Sequence, residues 1–295
     1  PETPTLKEIT TFSPVMPHLA EVAKNFIEYI SDEDLIWAFV GNGRFYKGQG
    51  LYAQAEPWFK QCLEVSKKRL GDNHPCVAQS LNNLAGVYKS QGRYDEAEPL
   101  YQEALQLMRH LRGEEHPYIA PILNNLAELY RSQGRYNQAE PLYQQALQLR
   151  RSLLGKEYPA VAVNLNNLAL LYYYQGRYDE AEPLALRAVE LDKQFLKEKH
   201  PDLATDIHNL ALIYRAQGRY SEAEPLFLEA LKLKQLLLPE DHPLLADTIY
   251  ALGYMYRIQG CYTKAEAFSI KALELDKRLL GDNHPYVTQS LKNLA

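Results

Sequence analysis

The 295-residue sequence predicts an all-α fold, a solenoid of tandem antiparallel helix pairs, and three observations predict it. The first is a strict period. Gly50, Gly92, Gly134, Gly176, Gly218 and Gly260 stand 42 residues apart. Each closes a recurring phrase that reads "SLNNLAGVYKSQGRY" at Ser80–Tyr94 and "ILNNLAELYRSQGRY" at Ile122–Tyr136. A period of roughly 20–50 residues marks a repeat architecture, and it overrides the two or so globular domains that length alone suggests. The second observation is apolar spacing. Val77, Leu81, Leu84, Ala85 and Tyr88 form one helical stripe, and Ala97, Leu100, Tyr101, Ala104, Leu105, Met108 and Leu111 form another. The third is the glycine between the stripes, Gly92, which supplies a left-handed helix stop. Neither helix buries its stripe alone, so neighbouring pairs must stack into a continuous core.

The elements follow in order. Residues 1–36 precede the repeats, and Leu19, Val22, Ala23, Phe26, Ile27 and Ile30 predict one amphipathic helix that caps the first of them. Residues 37–295 form the array, six repeats and a partial seventh. "GNGRFYKGQG" (Gly41–Gly50) is glycine-rich but lacks the GK[ST] of a phosphate loop, so it reads as a helix and its stop. In the next repeat Pro75 suits the first turn of a helix. Asp95 then predicts an N-cap, with Glu98 completing a capping box and Tyr94 and Pro99 a hydrophobic staple. Asn137/Glu140, Asp179/Glu182, Ser221/Glu224 and Thr263/Glu266 repeat the box, and Ala53 weakens it in the first copy. The connector "LGDNHP" (Leu70–Pro75) recurs at Leu280–Pro285, and the chain ends inside a further copy, "SLKNLA". That ending reads as a piece of a longer protein.

These positions resemble the tetratricopeptide repeat. Its alternation of large, small and aromatic residues reads here Leu81, Leu84, Ala85, Tyr88, Ala97, Tyr101, Ala104, and again Leu123, Leu126, Ala127, Tyr130, Ala139, Tyr143, Ala146. A divergent first copy runs Phe39, Asn42, Gly43, Tyr46, Ala55, Phe59, Cys62. The long period, with "NNLA", "AEPLY" and "QGRY", is similar to the kinesin light chain subclass, of bacterial type. The resemblance implies a right-handed superhelix whose first helices line a concave groove. It also implies a scaffold for protein–protein interaction. The sequence holds no heptad coiled coil of the kind that would join a motor heavy chain.

Composition narrows the function. A net charge of −5 with mixed signs argues against nucleic acid as a partner. No apolar run reaches the length of a membrane span, and no signal peptide is visible. Cys62, Cys76 and Cys261 form neither a CxxC nor a disulfide ladder, which points to a reduced, cytoplasmic setting. His74, His116, His200, His242 and His284 each precede proline; ligands one repeat apart cannot share a metal, so they read as connector residues. No nucleophile–base set appears. The sequence therefore predicts a non-catalytic module that needs no cofactor.

The groove reading rests on three rows. Asn82 and Asn83 flank the core stripe, with counterparts Asn124/Asn125, Asn166/Asn167 and His208/Asn209. The second members form the row Asn83, Asn125, Asn167 and Asn209, which breaks at Ala251 and resumes at Asn293. In related arrays such a row hydrogen-bonds the backbone of an extended peptide, and an amide suits this because it both donates and accepts. The alternative is that the second asparagine bonds a neighbouring helix and stiffens the stack. Six residues on stand Lys89, Arg131, Tyr173, Arg215 and Arg257, mostly basic in an acidic chain; they suit an acidic peptide, or simply the C-terminal end of a helix. Tyr173, Tyr174, Tyr250 and Tyr254 form an aromatic pocket or fill space. Two other functions fit the same sequence: a regulatory or sensor segment of a larger signalling NTPase or protease, and a repeat array that self-associates through its ends.

Overall fold

The computed structural model describes residues 3–32, 34–155, 159–196 and 200–280, with Val287 and Leu291; at 38, 159, 279 and 280 it describes the backbone only. The second connector copy beyond Leu280, and Asn293, lie outside the described residues. Two compact units divide the chain, Pro1–Leu171 and Tyr172–Ala295.

The first unit begins with α1 (Leu6–Phe12) and α2 (Met16–Asn25). Helix pairs follow: α3 (Trp37–Gly48) with α4 (Tyr52–Leu70), α5 (Pro75–Ser90) with α6 (Tyr94–Arg112), and α7 (Ile119–Ser132) with α8 (Tyr136–Leu154). α9 (Pro159–Tyr174) contributes its residues up to Leu171 to this unit and its last three to the second. The second unit holds α10 (Tyr178–Phe195), then the pairs α11 (Pro201–Ala216) with α12 (Tyr220–Leu237) and α13 (Pro243–Ile258) with α14 (Tyr262–Leu280). Each pair also packs on the next: α4 on α5, α6 on α7, α10 on α11 and α12 on α13. The fold is the all-α solenoid that the period predicts.

The apolar stripes are the core. Leu81, Ala85, Ala97, Tyr101 and Ala104 are between 0% and 1% exposed. Phe59 and Phe227 stand at the same place as Tyr101 and are as fully buried, each contributing roughly 1.5–3 kcal/mol. Gly43 fits this scheme: a Cβ there would lie 2.5 Å from Cζ of Phe59, so the alanine of other copies has no room. Gly92, at φ +75°, is different. Nothing crowds it, and the backbone alone demands glycine.

Two expectations need correction at helix starts. The second helices begin earlier than the capping-box reading places them. Arg93 N–H donates to the Tyr88 carbonyl (2.9 Å), and the Arg93 carbonyl already accepts from Ala97 N–H (3.1 Å). The N-cap residue is therefore Arg93, and in α4, α8, α10 and α12 it is Leu51, Arg135, Arg177 and Arg219; none caps through its side chain. Asp95 lies inside the first turn, so the capping box does not form. Tyr94 is the first helical residue, and the staple with Pro99 does not form either. The histidines before proline do more than connect. Nδ1 of His74, His200 and His242 accepts from the N–H two residues on, at 3.2 Å each, and so caps α5, α11 and α13. This requires a neutral ring with its proton on Nε2.

The N-terminal segment also departs from expectation. Its helix stops at Asn25, and Phe26 (φ −121°, ψ 11°) is 50% exposed. Arg69 of α4 fastens the segment that follows. Its guanidinium donates to the carbonyls of Ile27 (2.9 Å) and Ile30 (2.6 Å), either end of a single 3-10 turn, and pairs with Asp32 (2.7 Å).

Candidate functional site

The first helices are held in register by a clamp at the turns that follow α5, α7 and α11. The Arg93 guanidinium lies 4.0 Å from the centre of the Tyr88 ring, in the stacked geometry a planar cation favours. It donates forward to Glu96 (2.6 and 2.7 Å) and back to Glu56 of the preceding pair (2.9 Å). Arg135 repeats this on Tyr130 with Glu98, and Arg219 on Tyr214 with Glu182 and Glu222. Glu98, Glu182 and Glu224, which match capping groups in the sequence, are thus ties between repeats. Cys261 takes the arginine's place in the last pair, and there Lys264 sits over Tyr256 (4.7 Å) while Tyr256 donates to Glu224 (2.6 Å). Burial works against the charge on Glu56, but Lys60, Gln91 and Arg93 hold its carboxyl down at about 2.

On this frame the asparagine row bonds from repeat to repeat. Nδ2 of Asn125 donates to Oδ1 of Asn82 (3.0 Å), and Nδ2 of Asn167 donates to Oδ1 of Asn124 (3.0 Å). Asn164 donates to the same oxygen of Asn124 (3.2 Å). The bond takes one of the two N–H groups of the second asparagine and leaves its carbonyl oxygen unspent at a half-buried position. The first members differ. Asn82 meets one amide and stays half-buried, whereas Asn124, covered by two, is 6% exposed. Asn166, Asn209 and His208 are buried as well. His208 packs edge-on against Phe227, its Nδ1 3.2 Å from Thr248 Oγ1, and burial depresses its pKa far below the usual range. It is a neutral interior side chain and offers nothing to a groove.

The cationic row divides in two. In the first unit Lys89 Nζ lies 2.5 Å from Glu128, and Arg131 stands 3.9 Å from the same carboxylate. Burial opposes ionisation of Glu128, yet Lys89, Arg131 and then Lys47 hold it at about 2. In the second unit Arg215 donates to Tyr173 Oη (2.9 Å), and the Arg215 and Arg257 guanidiniums lie 5.0 and 5.3 Å from the Tyr254 ring centre. Tyr250 lies nearly parallel to Tyr254, 10° off and 6.4 Å away, while Tyr174 meets Tyr173 edge-on. Among the described residues neither Arg215 nor Arg257 has an acidic partner. Sequence reasoning missed Glu128 and Lys47. Lys47 follows Tyr46 as Lys89 follows Tyr88, and Glu128 is the one carboxylate at a place held in the other copies by Arg44, Gly86, Leu170, Leu212 and Tyr254.

Among the described residues no group of three His, Cys, Asp or Glu side chains can hold a metal, and no helix is long and apolar enough to cross a membrane. A sequence model described as tetratricopeptide repeat matches residues 34–110, 80–152, 118–194, 160–236 and 241–295. No curated protein matches the chain. Among solved structures, BtubC (BKLC) from P. vanneervenii is 27% identical at a TM-score of 0.59, over 78% of this chain and 90% of that one. A kinesin light chain-like protein of nearly identical TPR-like repeats from Podosopora anserina is 25% identical at 0.53, over 68% and 94%. NprR, solved in complex with its cognate peptide NprX, is 19% identical at 0.65, over 97% and 79%, a likeness of fold alone.

Proposed function

The chain belongs to the tetratricopeptide repeat family, and on that premise we propose that it is a non-catalytic scaffold that holds an extended, acidic peptide along its first helices. Arrays of this family are protein–protein interaction modules. The observation that carries the acidic preference is the pair Arg215 and Arg257, set around Tyr254 with no carboxylate of the chain to neutralise them among the described residues. A partner carboxylate there gains charge-assisted hydrogen bonds against a half-buried aromatic wall. Lys89 and Arg131 belong to the reading only as cations already balanced by Glu128. In the first unit, Asn83, Asn125 and Asn167 supply side-chain-independent grip on a peptide backbone. Asn125 and Asn167 are held in orientation by the bonds they donate to the preceding repeat. Residues 1–36 act as the cap of the array at 37–295, fastened by Arg69.

The test uses fluorescent glutamate-rich peptides and glutamine-matched controls, read by anisotropy at low and high salt. Arg215→Gln with Arg257→Gln should weaken the glutamate peptide roughly tenfold or more and flatten its salt dependence. Asn125→Ala with Asn167→Ala should weaken both peptides alike while helicity is kept. Equal binding of glutamate and glutamine peptides by the natural chain overturns the acidic preference. Unchanged affinity in the asparagine variant overturns the backbone grip.

A further inference from the structure

Repeats this alike share a hazard: any second helix has nearly the shape to stack on any first helix, in its own chain or in another copy. One buried place answers it. Residues 66, 108, 150, 192 and 234 occupy the same position on α4, α6, α8, α10 and α12, and residues 80, 122, 164, 206 and 248 the matching position on α5, α7, α9, α11 and α13. The chemistry there changes at every interface.

Between α4 and α5 it is a hydroxyl pair, Ser66 and Ser80 at 3.4 Å, with Cys62 Sγ 3.2 Å from Ser80. Between α6 and α7 it is apolar, Met108 and Ile122, 0% and 3% exposed. At α8 Arg150 donates to the Ala160 carbonyl at the start of α9, where the fully buried Asn164 turns its amide to Asn124. Between α10 and α11 it is two neighbouring carboxyls, Asp192 and Asp206, 2% and 4% exposed. Between α12 and α13 it is an ammonium and a hydroxyl, Lys234 donating to Thr248 at 2.8 Å, 1% and 0% exposed.

We propose that this pair is a register key: its chemistry tells each helix pair which neighbour to stack on and keeps copies of the chain from exchanging repeats. In the native stacks Ser66 meets Ser80, Lys234 donates to Thr248 and Asn164 donates to Asn124, while Asn164 Oδ1 and Asp206 Oδ2 stay buried without a hydrogen-bond partner among the described residues. A wrong stack that sets Asp192 or Lys234 against Ile122, or Met108 against Asn164, buries a charge or an amide with no answer, and such groups are costly to strand. Replacing the polar keys by an apolar pair leaves each interface satisfied but anonymous. Exchange of elements between copies is then the failure to expect.

The test copies the Met108/Ile122 key into the second unit: Asp192→Met, Asp206→Ile, Lys234→Met and Thr248→Ile together. Natural and variant chains are refolded from urea over a range of concentrations and read by circular dichroism and by size-exclusion chromatography with light scattering. Helicity and melting temperature should be held or raised, since buried charges give way to packed side chains. The share refolding as exchanged oligomer should rise roughly tenfold over the natural chain. The smaller variant Asp192→Met with Asp206→Ile should move the same way if the larger one does not fold. A second control, Met108→Ser with Ile122→Ser, duplicates the Ser66/Ser80 key without adding apolar surface and should raise exchange within the first unit. Oligomer shares equal to the natural chain's in the folded variants overturn the proposal.

Discussion

Neutralising Glu56 should loosen the first unit in a way that depends on pH. The carboxyl falls from an ordinary 4.5 to about 2, held by Lys60, Gln91 and Arg93 against the opposing effect of burial. At about 1.4 kcal/mol for each tenfold change, the drop corresponds to about 3 kcal/mol. The Glu56 side chain is only 17% exposed, but Lys60 is 48% exposed and screened by water, so Glu56→Gln should cost about 1–2 kcal/mol at pH 7. A depressed carboxylate stabilises above its unfolded value of about 4.3 and loses that contribution as pH falls toward the folded value, so roughly half remains at pH 3. Hydrogen exchange of α5 and α6 amides is the suitable assay, because an array opens piecewise and a single global melt averages over it. A gap between natural and variant chains that is the same at pH 7 and pH 3 would refute the reasoning, as would no gap at pH 7.

Two further outcomes follow from the other charged groups. Glu128→Gln should release Lys89 and Arg131 and raise affinity for a glutamate-rich peptide roughly tenfold with a steeper salt dependence; unchanged affinity would place those cations outside the binding face. Burial and the neighbouring carboxylates push Asp192 up to about 7 and raise Asp206 as well. A raised carboxyl binds its proton more tightly when folded, so stability of the second unit should fall as pH rises from about 4 to about 7. Asp206→Asn should flatten that fall in thermal melts, and an identical slope in both proteins would refute it.

The fold was legible because its signal is redundant. Six glycines at one interval and a stripe repeated through Leu81, Leu123 and Leu165 each specify the same helix pair, and tertiary packing has nothing to override. The helix starts were not legible, for a local reason. Asp95 and Glu98 match a capping box in type and spacing. The glycine turn, however, carries Arg93 straight into the helix, which makes the arginine the cap and leaves Glu98 free for Arg135. The course of the chain after Asn25 was hidden because the residue that fastens it, Arg69, lies 42 residues after Ile27 and acts through carbonyls that no side-chain pattern marks.

The candidate site shows why a repeat pattern reveals position before partner. The period placed Asn82 and Asn83 beside the core rather than in it, and left open whether the row held a guest or a neighbouring helix. The bonds from Asn125 to Asn82 and from Asn167 to Asn124 answer half of that: the row does tie repeats together. On the proposed reading this tie also aids reception, since an amide oriented before a peptide arrives loses less rotamer freedom on binding. The same logic separates the cations. Equivalent places in the sequence carry Lys89, Arg131, Arg215 and Arg257, but one departure from the pattern, Glu128, discharges the first two. Among the described residues Arg215 and Arg257, set around Tyr254, meet no such carboxylate, and the proposed acidic preference rests on them for that reason.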